Sequence, residues 1–123
     1  MIFFFKELDS STLKKTKTIE KTLNSKSLFC KNCFNEITSE NFAVTKNNSH
    51  IHSFANPYGY IFTIRCFSFA KGVISSGKDS SEFSWFNNYS WKICLCNRCM
   101  THLGWEFANS KDFFYGLIDD KMV

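Results

Sequence analysis

Two Cys-x-x-Cys pairs, Cys30-Lys31-Asn32-Cys33 and Cys96-Asn97-Arg98-Cys99, constrain this chain more than any other feature. Each pair can offer two thiolates from one tight turn, and two such turns complete the tetrahedral set that Zn²⁺ takes in structural sites. Residues 34–95 lie between them. A shared metal therefore joins distant parts of the chain and closes its whole middle into one loop. Redox exchange is the rival use of a Cys-x-x-Cys, and a single pair would suit it better than two. Three disulfides among the six cysteines would require export. Ile2-Phe3-Phe4-Phe5 is too short for a signal-peptide core, and no Lys or Arg precedes it, so a cytoplasmic location is expected. Cys94 competes with Cys96 as a ligand but lacks the knuckle spacing to Cys99. Cys66 and Cys94 read as small buried residues in strands. His102 could replace a cysteine ligand and otherwise reads as structural. His50 and His52 read as surface residues.

A chain of 123 residues is one domain, large enough for a core and small enough to gain from a metal. The net charge is +4, and much of it is local. Residues 1–26 carry six lysines against three acids and read as a polar leader, disordered or loosely helical. The remainder is near neutral, which gives no nucleic-acid footprint. No apolar run approaches the ~18 residues of a membrane span. The domain is expected over 27–119, with 120–123 as a tail.

Between the knuckles the pattern is β. Asn47-Asn48-Ser49 and Asn56-Pro57-Tyr58-Gly59 are turns. Strands are expected from 27 to 29, starting at 42–44, over 60–70, 82–85, 90–95 and 103–108, and in the closing stretch 113–118. Gly72, Ser75-Ser76-Gly77 and Asp79-Ser80-Ser81 punctuate a hairpin. Helix signals are few, so the expected fold is all-β with short antiparallel strands pinned by zinc.

All three tryptophans, Trp85, Trp91 and Trp105, fall between 82 and 107, beside the second knuckle. Aromatics in a small β domain are usually packing. Here the indoles alternate with Asn87, Asn88, Tyr89 and Ser90, where a core would prefer Val, Leu and Ile. Asn56-Pro57-Tyr58-Gly59-Tyr60, Ser84-Trp85-Phe86, Tyr89-Ser90-Trp91, Cys96-x-x-Cys99-x-x-His102-Leu103-Gly104-Trp105-x-Phe107 and Phe114-Tyr115-Gly116-Leu117 together resemble the thalidomide-binding domain of cereblon, the CULT domain. The likeness runs from about residue 29 to 118, and the length is similar to bacterial stand-alone members.

The resemblance implies a β-tent: two antiparallel sheets meeting at an angle and fixed by zinc on Cys30, Cys33, Cys96 and Cys99. It implies a cage with Trp85, Trp91 and Trp105 as walls, Phe107 at the base, and Asn56, Pro57 and Phe62 at the rim or adjoining side. Such cages take the glutarimide of thalidomide-type drugs, uracil-type rings and C-terminal cyclic imides on modified proteins. An imide edge reads acceptor-donor-acceptor. An extended 83–85 segment would answer it with the Phe83 carbonyl and the Trp85 N–H, as a neighbouring strand would. Vertebrate cereblons have His at the positions of Phe83 and Tyr58, so contacts at the rim should differ. The Lon-like and helical regions that join a ubiquitin ligase do not fit within 123 residues, so no ligase assembly through this chain is expected.

The expected function is thus a non-catalytic binding module, since a zinc closed by four thiolates has no open position for water. The alternative is an enzyme on the same scaffold. Methionine sulfoxide reductases share the β-tent and use a free cysteine, for which Cys66 or Cys94 would be the candidate.

Overall fold

A computed structural model describes residues 26–123. The leader expected over 1–26 lies, except for Lys26, outside the described residues. Eight strands form two antiparallel sheets: β1 (Ser27–Phe29), β2 (Glu36–Ser39), β3 (Ile51–Ala55), β4 (Ile61–Phe67), β5 (Val73–Ser80), β6 (Ser90–Cys96), β7 (His102–Ala108) and β8 (Phe113–Ile118). β1 and β2 make the small sheet, and the large one runs β3-β4-β8-β7-β6-β5. Short 3₁₀ turns occur at Glu40–Phe42 and Asp119–Lys121. Among the described residues there is no α-helix, and no helix is long and apolar enough to cross a membrane.

Strand alternation explains the two faces of the large sheet. Phe54 faces Phe62, Ile93 faces Trp105, Trp91 faces Phe107, and Phe107 faces Phe114. Directly opposed residues share a face, so one side becomes aromatic. The buried residues Ile64, Cys66, Phe86, Phe107, Phe114 and Ile118 form its core. A second core joins the large sheet to the small one through Ile37, Phe67, Ala70, Leu103, Leu117 and Met122, beside Cys30 and Cys96. Glycine is needed where strands close on each other. A Cβ on Gly104 would strike the Gly116 backbone, and one on Gly116 would meet Ile64 and Phe107.

Several expectations are corrected. Residues 42–44 start no strand: Phe42 ends a 3₁₀ turn, and Ala43 makes only an isolated bridge to Phe67. Residues 82–85 form a turn, with Phe83 left-handed at φ 56°. Residues 120–123 are no tail. Phe29 and Val123 exchange backbone hydrogen bonds at 2.9 Å, Lys31 N–H donates to Lys121 at 2.9 Å, and Met122 bridges Cys30. The end of the chain thereby extends the small sheet and shields the first knuckle. Met122 is buried, so Met122→Ala should cost about 2 kcal/mol in urea unfolding of the metal-loaded protein. An unchanged midpoint would show that the segment packs loosely.

Candidate functional site

The two knuckles are built alike. Cys30 N–H donates to Asn35 at 2.8 Å, and Phe34 N–H donates to Cys30 at 2.7 Å. Cys96 N–H donates to Thr101 at 2.8 Å, and Met100 N–H to Cys96 at 2.9 Å. Phe34 (φ 61°) and Met100 (φ 65°) both turn left-handed immediately after the second cysteine. A left-handed non-glycine residue costs about 1 kcal/mol or more, which the backbone hydrogen bonds of each turn offset in part.

The four sulfurs lie within 4.8 Å of one another. Cys30 to Cys99 is 3.7 Å and Cys33 to Cys96 is 3.6 Å. These spacings are far longer than a disulfide bond and match the edge of a ZnS₄ tetrahedron, about 3.8 Å for 2.3 Å bonds. The cluster could therefore hold one metal ion. N–H donors meet the sulfur charge: Arg98 N–H at 3.4 Å and Asn35 Nδ2 at 3.7 Å from Cys96, while the Thr101 hydroxyl lies 3.1 Å from Cys99. Hydrogen bonds from the Asn32 and Thr101 side chains hold the Cys99 thiol down at about 5, whereas burial pushes Cys33 up to about 12. Burial also raises Cys30. It opposes ionisation of Cys96 too, but the backbone N–H groups of Cys99 and Arg98 outweigh it and lower that thiol. Each close contact thus joins a raised thiol to a lowered one, and a bound cation would take the remaining protons off. His102 is not in this cluster. Its Nε2 lies 3.0 Å from the Gly104 carbonyl oxygen and its ring meets Trp105 edge-on at 4.8 Å.

The aromatic site is assembled by the turn between β5 and β6, residues 81–89, lying across the aromatic face. Phe86 plugs it, with ring centroids 5.3 Å from Phe54, 4.8 Å from Phe107 and 5.0 Å from Phe114. Trp85 stacks on Phe54 at 5.1 Å and meets Trp105 edge to face at 4.7 Å and 73°. Phe62 adjoins both, at 6.0 Å from Trp85 and 5.3 Å from Trp105. Trp85 and Trp105 thus form a corner in direct contact, each only partly buried. Among the described residues Trp91 makes no ring contact with either. Its indole N–H donates to the Glu82 carbonyl at 2.8 Å, and that of Trp85 to the Ala55 carbonyl at 3.1 Å. Phe107 is buried beneath.

Asn56 folds the β3–β4 turn. Its Oδ1 accepts from the Tyr58 and Tyr60 N–H groups at 3.0 and 2.9 Å, in a turn that leaves Pro57, Tyr58 and Tyr60 exposed. Phe83 is 73% exposed and left-handed, so the extended carbonyl and N–H pair expected over 83–85 is not formed in this conformation.

Sequence reading missed Phe54, Phe86 and His52 as parts of this cluster. The signal for Phe54 was the Asn56–Gly59 turn, whose hairpin register sets Phe54 opposite Phe62. His50 and His52 are not free surface residues. His50 accepts from Arg65 Nε at 3.0 Å and packs on Phe67 at 5.3 Å. His52 stacks on Phe54 at 5.6 Å and meets Phe86 at 5.2 Å.

Fold and site define a class: a small all-β domain whose two antiparallel sheets meet at a four-cysteine cluster, with an aromatic cluster on the larger sheet. No family model matches the chain. Proteins named cereblon do. That of Drosophila simulans is 36% identical over 122 residues, covering 89% of this chain and 20% of its own length. That of Drosophila melanogaster is 36% identical over 107 residues, covering 81% and 18%. The Gallus gallus protein is 38% identical over 99 residues, covering 74% and 22%. These homologues, at about this identity over most of the chain, support a cereblon-like family for it. The chain spans only about a fifth of their length.

Proposed function

We propose that this domain is a receptor for flat cyclic imides, with zinc as a structural ion on Cys30, Cys33, Cys96 and Cys99. The observation that carries the reading is the Trp85–Trp105 corner, two half-buried indoles at 73° with Phe62 alongside. Indoles serving only as core would be sealed like Phe86 and Phe107. The corner offers two perpendicular apolar faces to the CH₂ side of a glutarimide or to a uracil-type ring, and Trp91 would complete a third wall. Both Trp85 and Trp91 spend their indole N–H on backbone carbonyls, which leaves their ring faces to do the binding. The imide edge would pair with the Phe83 carbonyl and the Trp85 N–H once 83–85 extends. Turning Phe83 out of its left-handed conformation releases about 1 kcal/mol, which offsets part of that rearrangement. Burial of four ring carbons and two hydrogen bonds suggest a Kd of about 1 to 50 μM. Thalidomide-type compounds and C-terminal cyclic imides on modified proteins share this edge.

Tryptophan fluorescence titration with glutarimide, succinimide and uridine tests the reading. Quenching or a shift is expected with the imides. A flat signal from folded, zinc-loaded protein would end it.

The chain acts here without turnover. Cys66 and Cys94 are fully buried, and burial pushes their thiols up to about 11 and about 12, away from the thiolate a nucleophile needs. Cys66 pairs with Gly116 and Cys94 with Gly104, positions that face opposite sides of the sheet. The double variant Cys66→Ser, Cys94→Ser should show unchanged imide affinity. A methionine sulfoxide reductase activity present in the parent and abolished in the double variant would instead establish the enzyme.

A further inference from the structure

The geometry points to Asp112 as a positioning residue for the turn that carries Trp85, acting through the Tyr89 hydroxyl. Three segments distant in sequence converge on one carboxylate oxygen. Tyr89 OH donates to Asp112 Oδ2 at 2.6 Å, and Lys46 Nζ reaches the same oxygen at 2.6 Å. Asp112 is itself fixed by the β7–β8 turn: its N–H donates to Asn109 Oδ1 at 2.8 Å, and its carbonyl accepts from Asn109 N–H at 3.0 Å. Lys46 is held over the Phe114 ring at 4.9 Å and anchored by reciprocal backbone bonds with Ser49.

The rest of the 81–89 turn is held mostly by its own atoms. Glu82 N–H donates to Ser80 Oγ, Ser84 Oγ to the Phe86 carbonyl, Tyr89 N–H to the Phe86 carbonyl, and Trp91 Nε1 to the Glu82 carbonyl. Beyond Phe86, side-chain hydrogen bonds tie the turn to segments outside its own hairpin at two places among the described residues: Trp85 to Ala55, and Tyr89 to the β7–β8 turn at Asp112. The first involves the residue that must shift when 83–85 extends. The second lies at the opposite end. It holds residues 86–89 as a fixed post while 82–85 rearranges, so Trp85 returns to one place against Trp105. Charge assistance makes it the stronger anchor. The hydroxyl therefore governs how long the closed arrangement lasts, while the approach of ligand to the rim does not depend on it.

This role at the ligand site rests on the imide-binding reading, but the latch itself can be read without ligand. Tyr89→Phe keeps the ring contacts with Phe86 and Phe114 and removes only the hydroxyl. Asp112→Asn removes the charge. Hydrogen exchange of peptides covering 81–89 should quicken about fivefold in both variants, with β1 and β2 unchanged. The dissociation rate of a fluorescent glutarimide probe should rise about fivefold with the association rate unaltered. Unchanged exchange in 81–89, or an increase spread evenly over the sheet, would overturn the latch. Faster exchange with an unaltered probe dissociation rate would overturn its positioning role. A parent protein that binds no imide would sink the receptor reading, while exchange would still decide the latch.

Discussion

Stripping the metal from Cys30, Cys33, Cys96 and Cys99 should unfold the small sheet and the knuckles together. Both turns hold a left-handed residue, Phe34 and Met100; the second is backed by β6 and β7, but the first has only the short strands β1 and β2 behind it. β1 has three residues and β2 four, too few to stand alone. Much of the binding free energy of a four-thiolate zinc is therefore folding free energy, and its loss should cost about 5 kcal/mol or more. One zinc per chain is expected in a chromophoric chelator assay. Chelation should lower the urea midpoint sharply, and Cys96→Ala should do the same. A chelated protein that unfolds at the original midpoint would show that the cysteines do not hold a structural ion.

Trp85→Ala should weaken glutarimide binding by about 30-fold or more, a loss of about 2 kcal/mol for an indole face at the centre of a site. Its cost to stability should be the smaller of the two, because Trp85 sits on a turn and is held there by one hydrogen bond to Ala55 and ring contacts with Phe54, Phe62 and Trp105, whereas Trp105 lies within β7 of the large sheet. Trp105→Ala should weaken binding as much and also destabilise the domain by about 3 kcal/mol, because that ring is contacted by Trp85, Phe62 and His102. Isothermal titration beside thermal melts separates the two. If Trp85→Ala binds as the parent does, the corner is packing and the ligand site lies elsewhere.

What could be read in the sequence was what depends on local chemistry. The cysteine spacing signalled the cluster, and aromatic and β-branched runs located β4, β6, β7 and β8. Elements stabilised from far away were not readable. β2 (Glu36–Ser39) has two of its four residues polar and buried, and the Thr38 hydroxyl donates to the Phe69 carbonyl, 31 positions on. β3 (Ile51–Ala55) has an inverted pattern: Ile51 points outward while His52 points inward, held by Phe54 and Phe86. β5 is nearly all exposed and is a strand because β6 pairs with it. Residues 82–85 erred the other way. Their composition suits a strand, but the buried Phe86 and the two anchored indoles impose a turn, and Phe83 takes the strain. The aromatic cluster was legible as a set of residues, while the direct contact between Trp85 and Trp105 depends on that turn.

The pairing of Val123 with Phe29 has a consequence for how the chain is made. Cys30 and Cys33 leave the ribosome long before Cys99, which is 69 positions after Cys30, and β1 gains its outer backbone partner only when residue 123 has emerged. Closure of such distant contacts is slow. With zinc on the four cysteines as proposed, the first two thiols must therefore wait for Cys99 without their full ligand set and open to oxidation, and zinc depletion should show first as oxidised Cys30 and Cys33 in newly made chains.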